Sequence, residues 1–457
     1  MSFLVPLGAC AAILAAAACG GAFAAAALIP PGSMLRPERW GWGFVLGAAL
    51  IAIQAAVAIA PGYAPGWLPA LIAFAIAAAL AMRFRLRDIG SDIAPERAGS
   101  AGLSGLFLFL LASGVLLYLL RALTEPMWSN DYIAIWGLKG KTIFYARRLP
   151  GHILPSSLYG FSHPEYPLGL PLLFAGAASL LRRWDDHALA LLFPFFQVAT
   201  LGVLFGWLRR RGLPWPIPLA AAALLSQLES LYSGFLTGMA EVPLSCLMLL
   251  FGTAYSDCLD ETDSGAGRRL ATASLLATAT KNEGLFLAIA GAVGAVAGRR
   301  PGRWRAAALC ALPALAMGGL TRVLSKGAPL RDIDPAFLGS RVSELPLRLT
   351  EALRVAFAEG IAPAWPVLLC LAAFFVAGRP TLFADRLLGL AAASLLVYVA
   401  IPALAVREPA WLLQTTLPRT AVALSPLVAA GLAGRLKGRE TENGKRKTGN
   451  EELRDAV

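Results

Sequence analysis

Long apolar stretches separated by short polar breaks dominate this chain of 457 residues. A helix needs about 20 apolar residues to cross the hydrocarbon core of a bilayer. The stretches that approach or exceed that length are 3–29, 41–60, 65–82, 101–122, 188–208, 213–229, 238–255, 284–298, 306–325, 362–377, 386–405 and 419–434, with 270–280 as a short partial or tilted span. The pattern predicts an all-α polytopic membrane protein with roughly 12–14 transmembrane helices.

Composition supports a lipid-embedded protein, because 57% of the residues are hydrophobic and only 15% are charged. The net charge of +12 does not indicate nucleic-acid binding, since the basic residues fall in short loops and in the tail. Such clusters orient membrane proteins by staying in the cytoplasm. We therefore expect 83–87, 209–211, 299–305 and 445–447 to be cytoplasmic, as solvated loop charges of a protein in the cytoplasmic (inner) membrane.

Counting spans back from a cytoplasmic tail places loop 326–361 and the polar break at 281–283 outside. Counting forward from basic residues 83–97 places 123–165 outside, and the N-terminus as well. The two counts agree only if 166–181 does not cross the membrane. That segment carries Pro167, Gly169 and Pro171, which favours an interfacial or re-entrant helix. The sequence thus predicts one external loop over 123–187.

Four regions follow from this topology. Residues 1–100 form N-terminal transmembrane helices, and 101–300 form a core that carries the external loop 123–187. Residues 301–434 form C-terminal transmembrane helices with the external loop 326–361, and 435–457 form a basic cytoplasmic tail. The first segment, 3–29, lacks basic residues at its start, so we expect a retained helix and not a cleaved signal.

A polar island interrupts the apolar pattern just after the span at 101–122. Charged groups beside a bilayer must be hydrated, form an ion pair or belong to a functional site, because burying them unpaired costs several kcal/mol. The topology places further polar groups on the same external side. The candidate site residues are Trp128, Asp131, Trp136, Lys139, Lys141, His163, Glu165, Tyr166, Glu241, Lys281, Glu283 and Arg419.

Several of these side chains also have purely structural interpretations. Asp131 follows Ser129 and Asn130 and suits a helix N-cap, or it is a carboxylate held near a membrane-bound substrate. Lys139 and Lys141 either snorkel to the interface or hold a lipid phosphate. The segment 163–168 is either a proline-punctuated turn or a second ligand for substrate.

The remaining candidates lie at the ends of apolar runs. Glu241 could complement a helix dipole, and Arg419 could anchor the last span. Lys281 and Glu283 interrupt an apolar region, and such a break is costly unless it lines a cavity. That argument favours a role for both in the site or beside it.

The sequence also excludes some chemistry. Its six cysteines are scattered without CxxC spacing, which argues against a zinc site or a disulfide framework. No Walker motif or GxGxxG strand–helix unit is present. A hard cation bound by carboxylates is conceivable, but no dense acidic cluster supports one, and no cofactor is expected.

Four motifs resemble bacterial membrane proteins of the GT-C glycosyltransferase superfamily, in particular the protein O-mannosyltransferase-like and aminoarabinose-transferase-like enzymes. They are DYIAIWGLKGK at 131–141, HPEYPL at 163–168, GMAEVPL at 238–244 and KNEG at 281–284. Each is short, and the resemblance rests on their order along 120–285, with Arg419 as a further match. It implies a polyprenyl-phosphate sugar donor, an acceptor outside the cytoplasmic membrane, and catalysis by Asp131 in the first external loop.

The residue types suit that chemistry. Asp131 could serve as a base or orienting acid for an acceptor hydroxyl. Lys139, Lys141, Lys281 or Arg419 could stabilise a leaving phosphate. The rings of the two tryptophans and of Tyr166 could face the sugar.

Two other classes stay open at the level of sequence. A transporter or lipid-linked-sugar flippase would also place polar residues within membrane segments, although no internal repeat is evident. An assembly protein without catalysis is the third possibility. The sugar and the acceptor, whether glycan, lipid or protein, are not determined.

Overall fold

A computed structural model describes residues 28–29, 33–59, 101–152, 154, 156–262, 264–298, 302–325, 342–355, 358, 381–404 and 409–436. The predicted spans 3–29, 65–82 and 362–377 lie wholly or almost wholly outside these residues. So do the basic segment 83–87, most of the loop 326–361 and the tail from 437 onward.

The described residues fold into helices joined by short connections. The α-helices are α1 Arg36–Ile59, α2 Ala101–Thr124, α3 Gly137–Ala146, α4 Ser156–Phe161, α5 Gly169–Leu180, α6 Asp186–Ala190, α7 Leu192–Arg210, α8 Pro216–Ser226, α9 Glu241–Leu259, α10 Ala266–Thr280, α11 Glu283–Ala297, α12 Arg303–Leu324, α13 Leu345–Val355, α14 Leu382–Leu404, α15 Pro409–Ala423 and α16 Ser425–Leu436. A π-helical turn, Tyr132–Trp136, leads directly into α3.

Six of these segments are long and apolar enough to cross a membrane, or seven if the bent pair α15 and α16 is one span. The six are Arg36–Ile59, Gly102–Thr124, Asp186–Arg210, Glu241–Leu259, Arg303–Leu324 and Leu382–Ala400. No strand occurs among the described residues. The predicted class, an all-α polytopic membrane protein, is confirmed.

Two predicted spans are shorter in the structure. The stretch 213–229 contains only the 11-residue α8, which begins at Pro216 and ends at Ser226. Pro216 and Pro218 lie in its first turn, where the missing amide donors have no partner in the helix. The stretch 284–298 contains the 15-residue α11. Neither belongs to the six spans.

Helix α9 lies at the centre of the bundle and packs against α7, α10, α14 and α15. Its side chains are buried over 241–257. At 1.5 Å rise per residue, Glu241 and Asp257 lie about 24 Å apart along the axis. One helix therefore connects polar groups at two separate levels of the bundle.

The two ends of the segment 166–186 both contact the π-helical turn Tyr132–Trp136. The Tyr166 ring stacks on Trp136 with centroids 5.5 Å apart, and Tyr132 donates a hydrogen bond to Asp186. The 12-residue α5 between them is about 18 Å long, shorter than a bilayer core of about 30 Å. Both ends therefore lie at one level, while the assignment of that level to the exterior stays a prediction.

A buried ionic network, here called the Asp257 cluster, lies at the far end of α9. It comprises Glu38, Arg210, Arg211, Asp257, Asp260, Arg269 and Arg386. Asp257 accepts from Arg210 and Arg211, both at 2.7 Å, and Asp260 accepts from Arg211 at 2.8 Å. The expectation that basic residues 209–211 are merely solvated loop charges is wrong for these two arginines, because carboxylates of α9 and its C-terminal turn draw them into the protein.

Candidate functional site

Asp131 is helical and immediately precedes the π-helical turn. It does not act as a helix cap, because its carboxylate makes no capping hydrogen bond. Ser129 Oγ instead accepts from the Tyr132 amide at 3.3 Å. The Asp131 carboxylate is thereby available to a partner elsewhere, and Arg419 of α15 forms an ion pair with it across 288 residues of sequence.

Arg419 connects Asp131 to the start of α9. Its guanidinium lies 3.6 Å from Glu241 Oε1, and its Nε donates to the Thr415 carbonyl at 3.1 Å. Glu241 is the first residue of α9 and is buried. It thus occupies the position that favours a negative charge in the helix dipole and also faces a cation from another helix.

Lys281 extends this network from the break between α10 and α11. Its Nζ lies 3.0 Å from Glu241 Oε1 and 2.7 Å from Glu283 Oε1. Burial alone would lower the pKa of Lys281, but the charges of Glu241 and Glu283 outweigh it and hold that pKa well above its usual value. Asp131, Arg419, Glu241, Lys281 and Glu283 form one continuous assembly, here called the Asp131 cluster.

Local backbone geometry makes the close approach possible. Lys281 adopts an extended conformation that ends α10, and Asn282 begins the next helix. A Cβ on Gly284 would come within 2.5 Å of the Thr278 backbone nitrogen, so a side chain there would force the two helices apart. Gly238 has φ of 95° and packs against the Tyr132 ring, which brings the start of α9 to the π-helical turn.

A second group of predicted residues surrounds Lys139. The lysine is fully buried, and its Nζ donates to the carbonyl oxygens of His163 at 2.5 Å and of Tyr166 at 3.4 Å. Burial lowers the pKa of Lys139 to about 7, although the nearby Glu165 charge opposes the shift. Lys139 therefore fixes the turn at 163–166 from inside.

His163 and Glu165 form a pair within that turn. Their Nδ1 and Oε1 atoms are 2.8 Å apart, and the His163 backbone has φ of 53°, a costly conformation for a residue with a side chain. The His163 ring stacks on Tyr166 at 4.9 Å. Trp136, Tyr166 and His163 thus form a short aromatic stack.

The Lys139 group adjoins the Asp131 cluster through Asn282, whose amide nitrogen lies 3.5 Å from the Glu165 carbonyl oxygen. Glu165 Oε2 and Glu241 Oε2 are buried and have no hydrogen-bond partner among the described residues. Buried carboxylate oxygens are normally satisfied. These two oxygens are therefore unsatisfied acceptors in the interior of the site.

Two predicted residues occupy the margin of the site. Lys141 Nζ lies 3.4 Å from Asp186, which also accepts from Trp184 Nε1 at 2.7 Å. Trp128 is half exposed and meets Phe235 edge to face at 5.6 Å. Lys141 and Trp128 are therefore adjacent to the cluster and do not contribute to its ion pairs.

Sequence reasoning missed Tyr132, Asp186 and Asn282. Burial, the hydrogen bond to Asp186 and the Asp186 charge all raise the pKa of Tyr132, so it remains a protonated donor. Asp186 follows another acid beside two arginines and has the sequence pattern of a helix start. Tyr132, in the motif at 131–141, and Asn282, in the KNEG motif, lay within segments already singled out, whereas Asp186 did not.

A pocket of about 260 Å³, counting the space open to solvent, borders the Lys139 group. Its walls include Lys139, Tyr159, Tyr166 and residues at the C-terminal end of α12. No group of three or more His, Cys, Asp or Glu side chains within the described residues has the proximity needed to hold a metal ion.

Comparison with known proteins adds no assignment. No family model matches the chain, no curated protein matches it, and no solved structure matches it. Any functional conclusion therefore depends on the residues themselves and on the resemblance of the four motifs.

Proposed function

We propose that this chain is a membrane-embedded glycosyltransferase of the cytoplasmic membrane, with its site on the external face. It moves a sugar from a polyprenyl-phosphate donor to a glycan, lipid or protein acceptor. The observation that carries the proposal is the Asp131 cluster. A partly accessible carboxylate and a partly accessible guanidinium meet there at the level where spanning helices begin and end.

The transfer requires two charge movements, and the cluster offers a group for each. As the bond between the sugar C1 and the phosphate oxygen breaks, its electron pair stays on the phosphate, and Arg419 is placed to stabilise that growing charge. As the acceptor oxygen bonds to C1, its proton passes to the Asp131 carboxylate. The buried acids and Lys281 hold both groups in position.

The aromatic stack suits the sugar. Tyr166 is its accessible ring: it stacks on the buried Trp136 and lines the pocket beside Lys139. His163 and Glu165 lie in the same turn. A pyranose has both apolar CH faces and hydroxyl donors. Lys139 supports this wall by binding the carbonyl groups of the turn.

The direct test uses Asp131→Asn in purified protein reconstituted with a panel of polyprenyl-phosphate sugars. We expect the variant to accumulate normally and to lose about 10²–10⁴-fold in turnover, the usual contribution of acid–base catalysis. Glu229→Gln, the same acid-to-amide change in the exposed Arg121–Glu229 pair, is the matched control and should retain most activity. Wild-type turnover by the Asn variant would exclude Asp131 as the catalytic group.

A further inference from the structure

The accessible part of the Asp131 cluster is a single ion pair. The side chains of Asp131 and Arg419 are 30% and 22% exposed, whereas those of Lys281, Glu241 and Glu283 are 7%, 1% and 9% exposed. A phosphate that enters from solvent therefore meets Arg419 before any other cation of the cluster. It also meets the carboxylate that Arg419 already holds.

Charge balance within the cluster determines which bond a phosphate can replace. Three carboxylates, those of Asp131, Glu241 and Glu283, share two cations, Arg419 and Lys281, so the cluster carries one net negative charge. Removing Lys281 from its two buried partners would leave both acids uncompensated, which is strongly unfavourable. Asp131, in contrast, can be hydrated when it loses its partner, because it is partly exposed.

The position of Arg419 allows its side chain to change partner. It follows Pro418 within α15, and a proline lacks the amide that would complete the helix hydrogen bond at that point. Helices α15 and α16 meet at an angle of 46° at Leu424, beside Pro426 and five residues after Arg419. The hydrogen bond missing at Pro418 itself immediately precedes Arg419, so the guanidinium extends from an interrupted turn of α15.

We propose that Arg419 exchanges Asp131 for the phosphate of the donor, so that donor binding itself releases the catalytic carboxylate. This inference rests on the proposed function. In the free protein Arg419 neutralises Asp131. In the complex Arg419 binds phosphate, and the adjacent negative charge makes Asp131 a better proton acceptor, because like charges disfavour each other. The base becomes competent only when a donor is present.

The exchange can be measured by the reactivity of Asp131 toward a carbodiimide and an amine, quantified by peptide mass spectrometry. Farnesyl phosphate is the probe, with farnesol and inorganic phosphate as separate arms and carbodiimide in large molar excess over the lipid. We expect farnesyl phosphate to raise the labelling rate of Asp131 at least about threefold and farnesol to have no effect. Acceleration by inorganic phosphate alone would show that the charge suffices without the lipid.

The exposed pair Arg121–Glu229 provides the internal control, since Glu229 labelling should not respond to the probe. In the Arg419→Gln variant, the reagent should label Asp131 rapidly with or without farnesyl phosphate. This variant should also bind farnesyl phosphate at least about tenfold more weakly, because it lacks a charge-assisted contact. Arg121→Gln is the matched variant. It should raise the labelling rate of Glu229 and leave the labelling rate of Asp131 unchanged.

Three results would overturn the exchange. They are an unchanged or slower Asp131 labelling rate with bound farnesyl phosphate, equal lipid affinity in wild type and Arg419→Gln, and no lipid binding by the wild type. Any of these in a protein that still transfers sugar would refute the exchange and leave the proposed function intact. If the exchange is observed but no lipid-linked sugar is turned over, the proposed glycosyltransferase activity is refuted instead.

Discussion

The two ends of α9 carry ionic clusters of opposite character. In the Asp257 cluster the central carboxylate is almost fully buried and accepts from Arg210 and Arg211, both at 2.7 Å, and from Trp207 Nε1 at 3.1 Å. In the Asp131 cluster the central acid, Glu241, leaves one buried oxygen without a partner among the described residues. Its outermost pair is open to solvent.

The two clusters also differ in net charge and in the type of cation. The Asp257 cluster has four arginines for three acids, and planar guanidinium groups suit paired carboxylate contacts. The Asp131 cluster has two cations for three acids, and one cation is a lysine with a compact charge. Arg386 Nη2 in the Asp257 cluster and Glu241 Oε2 in the Asp131 cluster are both buried without a hydrogen-bond partner among the described residues, so the two clusters differ in their charge balance and not in saturation. An excess of acids around an accessible Asp131–Arg419 pair is what distinguishes the candidate site. The comparison thus separates a structural network from a candidate site.

The first prediction concerns the side of the membrane on which each cluster lies, and its expected effect is all or none. A single cysteine in place of exposed Arg183, beside the Asp131 level, should react with an impermeant maleimide in intact cells. A cysteine in place of exposed Arg268, near the Asp257 level, should react only after permeabilisation. The same labelling pattern at both positions would contradict the assignment of the two clusters to opposite faces.

Removing the shared acid of the buried network should have the next largest effect. Asp257→Ala leaves three arginines without their common partner, and breaking a buried ionic network costs about 3–5 kcal/mol. We expect a large loss of folded protein by fluorescence-detected gel filtration and a much lower melting temperature. Asp131→Ala should melt close to wild type, and equal destabilisation by both changes would erase the distinction.

Lys281 tests whether the accessible cluster depends on its buried part. Lys281→Ala leaves Glu241 and Glu283 close together without their cation, so donor use should fall strongly, by about tenfold or more if one charge-assisted contact is lost. Lys281→Arg keeps the charge and should restore a substantial part of the activity. Donor titrations of both variants provide the measurement, and equal defects would show that the charge is not the relevant property.

A smaller effect should distinguish the two buried lysines by pH. The folded-state pKa of Lys139 is lowered to about 7, so between pH 7 and 10 the unfolded chain binds more protons there and stability should rise with pH. The slope is at most about 1.4 kcal/mol per pH unit. Melting temperatures of wild type relative to Lys139→Met should show this gain.

Lys281 has the opposite linkage. Its folded-state pKa is raised, so its stabilising contribution is complete below the unfolded value near 10.5 and is lost only as the pH rises further. The difference between wild type and Lys281→Met should stay level from pH 7 to 10. A parallel rise for both lysines would contradict the opposite shifts.

Sequence by itself determined that the chain is an all-α membrane protein, because span length and apolar composition are local properties. It also located the polar segments at 131–141, 163–166 and 281–283. It could not choose between capping and chemistry for Asp131, since Ser129 and Asp131 were both suitable caps. Nor did it show that α8 and α11 are shorter than a full span.

Only the tertiary structure decided which charges meet. Asp131 and Arg419 are 288 residues apart. Arg210 of α7 and Glu38 of α1, which also form an ion pair, are 172 residues apart. Local sequence sets whether a helix forms, but the partner of each side chain depends on how every helix is rotated and packed. The same residue types, acids with arginines and lysines, therefore formed a network with an excess of arginines at one end of α9 and one with an excess of acids at the other.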